Sequence, residues 1–106
     1  MGSEAAEFEW DDGNADKNWL RHRVSQADCE QIFFNQPLVT AEDDLHSDDE
    51  FRHYALGQAD AGRLLFLVYT LRKERIRIIS ARDMIPRERK EYERARQKEF
   101  ETDPGI

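Results

Sequence analysis

The sequence predicts an α+β domain in the order βααββββα, with helices grouped apart from a mainly antiparallel sheet. Three observations carry that prediction. Apolar and polar residues alternate with a period of two at Glu7–Asp11, Phe51–Leu56 and Arg75–Ser80. A continuous apolar run, Leu64–Tyr69, has the character of a central strand. Helix-opening signals stand at Ser25, with Asp28 three residues on, and at Pro86.

Taken in order, Glu7-Phe8-Glu9-Trp10-Asp11 suits a half-buried strand, and Asp12-Gly13-Asn14 supplies turn residues and a helix cap. Ala15–His22 suits a short helix. The Ser25/Asp28 pair resembles a capping box for a second helix, which would bury Ala27, Ile32 and Phe33 or Phe34 before Asn35-Gln36-Pro37 ends it. Leu38–Ala41 reads as a strand and Glu42–Glu50 as an acidic, solvated loop. Gly57–Gly62 reads as a hairpin connection, and Arg72-Lys73-Glu74 turns the chain into Arg75–Ser80. Strict alternation there puts Ile76, Ile78 and Ser80 on one face, and Arg75, Arg77 and Ile79 on the other. Arg87–Lys98 has strong helix formers and acid–base pairs three or four residues apart. Its apolar positions are few, Tyr92 and Ala95 with Phe100 beyond, so it either lies lightly on the sheet or relies on a partner. The chain is expected to be one domain, 1–106, with flexible ends at 1–6 and 99–106.

A chain of 106 residues suffices for one core. It has no apolar run of the roughly 18 residues a membrane span needs, and its first residues are acidic where a signal peptide starts basic. A cytoplasmic protein with no membrane association is expected. Cys29 stands alone, which excludes a disulfide framework and paired-cysteine zinc spacing, and reads as a small buried hydrophobe on a helix. The net charge of -7 argues against a protein that coats nucleic acid non-specifically. That charge is unevenly spread: residues 1–62 hold 15 acids and 4 bases, whereas residues 63–98 hold 12 bases and 5 acids. The basic segment could meet RNA, and the acidic one could attract a basic partner. A helix-turn-helix DNA binder over residues 14–34 is disfavoured, because the acids there oppose phosphate contacts.

Three segments, Gly62–Thr70, Arg75–Arg82 and Arg87–Tyr92, resemble the hallmark segments of the BrnT toxin family. Phe8-Glu9-Trp10-Asp11, Lys17-Asn18, Phe33-Phe34, and Asp49-Glu50 with Arg52 extend the resemblance, in the family's order, over most of the chain. The resemblance implies a RelE-like fold and a cofactor-free, metal-independent ribonuclease activity that arrests translation. It implies a hetero-oligomer with a neutralising BrnA-type antitoxin, whose complex represses their operon, so that operator DNA is met only through the complex. One departure is local: where the family commonly has Lys-His-Gly, this chain has Arg21-His22-Arg23. The alternative is a catalytically weak module that binds the antitoxin and acts mainly in operon repression.

Metal-free RNA cleavage needs a proton taken from the 2′-hydroxyl, a proton given to the leaving oxygen, and positive charge on the phosphate. Arg72, Arg77 and Arg82 come from the last two strands, and a guanidinium can grip two phosphate oxygens. His22 is the histidine that the resemblance places, suited to a proton role or to a structural one. Tyr92 falls where the family has a tyrosine and either serves RNA or packs its helix on the sheet. The expected catalytic set is therefore Arg77, Arg72, His22 and Tyr92. The expected RNA contacts are Arg21, Arg63, Thr70, Ser80, Arg82 and Arg89. Glu50 reads as an arginine's partner. His53 sits on a strand outside any motif, and His46 among Asp43, Asp44, Asp48 and Asp49 reads as part of the solvated loop, so no metal site is expected.

Overall fold

The computed structural model describes residues 7–10, 12–42 and 51–101. The acidic loop with His46 and Glu50, and the chain ends 1–6 and 102–106, lie outside the described residues. The elements run β1 (Glu7–Phe8), α1 (Asp12–His22), α2 (Gln26–Ile32), β2 (Val39–Glu42), β3 (Arg52–Gln58), β4 (Leu64–Arg72), β5 (Arg75–Asp83) and α3 (Pro86–Glu101). This is the βααββββα order of the sequence. The strands form one sheet in the order β1-β5-β4-β3-β2, antiparallel except for β1, which runs parallel to β5. Among the described residues no helix is long and apolar enough to cross a membrane.

Each face of the sheet buries a different set of side chains. Leu65, Leu67 and Tyr69 of β4 join Ala55 of β3, Ile78 and Ala81 of β5, and Val24, Cys29 and Ile32 from α2 and its approach. On the opposite face Leu56 and Phe66 pack with Val39, Leu64, Met84 and Tyr92 under α3. Removing these apolar surfaces from water holds the helices on the sheet. Among the side chains of α3 described, those of residues 86–99, Glu88 and Tyr92 are the buried ones, and both lie in the first half of the helix.

Local chemistry explains the helix ends. The Ser25 hydroxyl accepts from the Asp28 amide at 3.0 Å and the Asp28 carboxylate accepts from the Ser25 amide at 3.5 Å, the reciprocal capping box that opens α2. Glu88 caps α3 by accepting from the Ile85 amide at 3.0 Å. Cys29 is buried on α2, and burial together with Asp28 and Glu30 pushes its thiol up to about 12, which leaves it an inert hydrophobe. Asn18 is buried on α1, where its side-chain oxygen accepts from the Ala81 amide at 3.1 Å. That amide lies on the stretch of β5 that the two-residue β1 does not reach.

Arg23, which follows α1, has φ +55, the left-handed region that a C-terminal glycine ordinarily fills. A Cβ there costs roughly 1–2 kcal/mol, and the cation–π contact of Arg23 over Trp19, at 5.2 Å, returns part of it. Arg23→Gly is expected to raise stability by about 0.5–1 kcal/mol, measured as a shift in the urea midpoint at unchanged slope. An unchanged or lowered midpoint would show that the contact with Trp19 outweighs the strain.

Several sequence expectations are corrected. Ala27 is exposed, and α2 instead buries Cys29 and Ile32, because seven residues present only a narrow stripe. Of the two phenylalanines, Phe33 is partly buried and Phe34 is exposed. Gly57 belongs to β3, where it lies against Ile32, and the connection begins after Gln58. In β5 a bulge leaves Ile79 without a partner: Val68 faces Ser80 while Tyr69 faces Ile78. The extra residue reverses the alternation. Ser80 therefore shares the face of Arg77 rather than that of Ile78. The last helix runs to Glu101, beyond the expected Lys98.

Candidate functional site

The end of the sheet that α3 leaves uncovered is lined by charged and hydroxyl side chains in rows. Across β3, β4 and β5, Arg52 lies opposite Thr70 and Thr70 opposite Arg77. Facing residues of an antiparallel pair point to the same side, so these three share one surface. One row inward stand Tyr54, Val68 and Ser80, and one row outward Arg72 faces Arg75. The Arg72–Arg75 hairpin turns on Lys73 and Glu74, both at positive φ (49 and 68), as a two-residue turn between twisted strands requires. Glu9 follows β1, its amide donating to the Ile76 carbonyl at 2.8 Å, which sets it beside Arg77.

Glu9 Oε2 lies 3.6 Å from one terminal nitrogen of Arg77 and 3.9 Å from one of Arg72. Arg75 pairs with Glu7 at 3.3 Å. An open cleft of about 910 Å³ lies here, lined by Glu7, Glu9, Arg72, Lys73 and Arg75. The Arg77 side chain is 22% exposed, against 47% for Arg72. Arg77 is thus held by its surroundings while still reaching solvent. Thr70 is 2% exposed, and its hydroxyl has no hydrogen-bond partner among the described residues. A buried hydroxyl without a partner is uncommon and marks the middle of the arginine row.

The remaining predicted residues lie elsewhere or are engaged. Arg63 donates to Asp83 at 2.7 and 3.1 Å and to the carbonyls of Arg23 and His22 at 2.6 and 2.7 Å. It ties the carbonyl end of α1 to the start of β4, where positive charge is favoured. Its hydrogen bond holds the Asp83 carboxyl below the usual carboxylate range, against the opposing effect of burial. His22 therefore sits beside Asp83, which faces Leu65; Thr70 and Arg77 are five residues further along β4, about 17 Å at 3.3–3.4 Å per residue. Arg21 is exposed at the same end of α1.

Arg82 shares the arginine face but grips Glu88 with both terminal nitrogens, at 2.8 and 2.9 Å, and lies over the Phe66 ring at 4.1 Å. Burial opposes the Glu88 charge, yet the bonds from Arg82 and the Ile85 amide bring its pKa below the usual range. Arg82 thereby locks the start of α3 onto β5. Arg89 donates to the Met84 carbonyl at 3.1 Å. Tyr92 is fully buried and its hydroxyl donates to the Pro37 carbonyl at 2.9 Å. It packs α3, and burial raises its pKa above the ordinary phenol value. The structure thus brings Arg72, Arg77, Thr70 and Ser80 together and leaves His22, Arg21, Arg63, Arg89 and Tyr92 apart from them. His53 stacks on Tyr69 on the helix-covered face. Among the described residues no three histidine, cysteine or acidic side chains are grouped to hold a metal ion.

Glu9 and Arg52 joined the surface unforeseen. Arg52, Tyr54 and Leu56 stand two residues apart and share one strand face, so a strand register for β3 would have found them; nothing in the sequence shows that β1 pairs with β5. Fold and surface together define a small α+β domain with an arginine-lined, solvent-open sheet face. The chain belongs to the BrnT family, the ribonuclease toxins of type II toxin–antitoxin systems, whose family model matches residues 10–88. No curated protein matches it.

Proposed function

We propose that this protein cleaves RNA without a metal ion to arrest translation, and that a BrnA-type antitoxin encoded beside it neutralises it. The carrying observation is the row Arg52, Thr70 and Arg77 with Arg72 alongside, on a rigid sheet face open to solvent. Arg77 and Arg72 grip the scissile phosphate and stabilise the charge that develops as the 2′-oxygen attacks phosphorus, supplying the positive charge that a metal would otherwise bring. Ser80 orients them or bonds phosphate, and Thr70, buried in the middle of the row, has its hydroxyl left to orient them. The antitoxin covers the basic surface of residues 63–98, so that operator DNA is met only through the complex. Family membership supports the antitoxin partner.

Induced expression is expected to stop growth and to be followed by RNA decay, and co-expression of the small basic protein encoded next to it is expected to restore growth. Purified protein should cut RNA equally well with EDTA present. Cleavage abolished by EDTA and restored by magnesium would overturn the metal-free chemistry. The second reading, an antitoxin-binding module with weak catalysis, is favoured by the burial of Tyr92 and the remoteness of His22. Expression without growth arrest, alongside tight antitoxin binding, would establish it.

A further inference from the structure

With His22 at the far end of β4 and Tyr92 buried, neither of the expected proton-transfer groups reaches Arg72 and Arg77. A different group does. We infer that Glu9 is the general base of the proposed ribonuclease, its carboxylate accepting the 2′-hydroxyl proton beside the phosphate that Arg72 and Arg77 hold. The inference rests on the ribonuclease reading.

The geometry supports this in three ways. Glu9 Oε2 stands 3.6 and 3.9 Å from nitrogens of Arg77 and Arg72, so a phosphate bridging the two guanidiniums is set next to the carboxylate. The backbone of Glu9 is fixed on both sides. Its own amide donates to the Ile76 carbonyl at 2.8 Å, and the next side chain, Trp10, donates from Nε1 to Glu30 at 2.8 Å on α2. The Glu9 side chain is 33% exposed and lines the open cleft, so a substrate can reach it. Glu7, Lys73 and Arg75 line the same cleft. With Arg72 and Arg77 they place four cations and one further acid around the base.

In the step, the 2′-oxygen gives its proton to a Glu9 carboxylate oxygen and forms a bond to phosphorus. The bond from phosphorus to the 5′-oxygen breaks, and the leaving oxygen takes a proton from water. Glu9 then returns its proton to solvent. The products are a 2′,3′-cyclic phosphate and a 5′-hydroxyl, with no oxidant, reductant or co-reactant consumed.

Glu9→Gln tests the base, since it keeps the shape and an oxygen facing the arginines but is not basic. Cleavage of a labelled RNA oligonucleotide is expected to slow by about 100-fold or more. Binding of the same oligonucleotide with 2′-O-methyl sugars, which is not cut, is expected to stay equal or tighten, because a negative charge beside the phosphate is gone. Glu9→Asp, which keeps a carboxylate, should retain more activity than Glu9→Gln at a similar thermal midpoint. Two results overturn the inference while leaving the ribonuclease reading intact: Glu9→Gln cutting within a few-fold of the parent, or cleavage and binding falling together, which makes Glu9 a positioning residue for the arginines. A parent protein that cuts no RNA overturns both.

Discussion

Arg77→Ala is expected to lower RNA cleavage by about 100-fold to 1,000-fold, roughly 2.7–4 kcal/mol of transition-state stabilisation, with folding nearly unchanged. Arg77 lies on β5 between β1 and β4, so a rigid sheet sets where its guanidinium points. Its side chain is partly exposed and carries no part of the apolar core, and Glu9 beside it also lies 3.9 Å from Arg72. Lysine keeps the charge and loses the two-pronged grip, so Arg77→Lys should recover only part of the activity. Single-turnover cleavage, with antitoxin binding as the check on folding, measures both variants. An alanine variant that folds, binds its antitoxin and still arrests growth would make Arg77 an ordinary surface residue.

The largest expected loss of stability is at Gly57. A Cβ placed there would lie 2.7 Å from the Cβ of Ile32 and 3.1 Å from its Cδ1. The closer contact is to an atom that every residue except glycine carries, so shortening Ile32 does not relieve it. Gly57→Ala must therefore push α2 away from β3 and open the core around Cys29, Ala55 and Leu65. A cost of about 1–3 kcal/mol is expected, or a fall in Tm of several degrees, roughly 4–8 °C per kcal/mol for a domain near this size. Thermal unfolding measures it. A midpoint unchanged from the parent would mean that α2 shifts freely on the sheet and does not depend on the glycine.

The same glycine shows where a sequence stops being legible. In isolation Gly57 resembles turn chemistry, since the punctuation value of glycine is local; its use as a contact surface for Ile32 depends on a helix 25 residues earlier in the chain. Elements with local causes were readable: the Ser25–Asp28 capping box, the apolar run of β4 and the proline that starts α3 all depend on neighbouring residues. The face of Ser80 was not, because the bulge at Ile79 is defined only by the register against β4. For the site, Arg72, Arg77, Thr70 and Ser80 were found through the resemblance and now share one surface. Arg63 and Arg82 were also legible as arginines, but their partners, Asp83 with the α1 carbonyls and Glu88 with Phe66, come from distant elements. Glu9 escaped notice for the same reason. Its place beside Arg77 and Arg72 depends on a parallel pairing of only two residues between β1 and β5, too short to leave a pattern.

The most direct measurement is the chemistry of the cut ends when purified protein acts on a defined RNA in the presence of EDTA. Attack by the neighbouring 2′-oxygen under arginine control predicts 2′,3′-cyclic phosphate on the upstream fragment and 5′-hydroxyl on the downstream one, lost together in Arg77→Ala. Fragments ending in 3′-hydroxyl and 5′-phosphate, or cleavage that appears only when magnesium is restored, would contradict it.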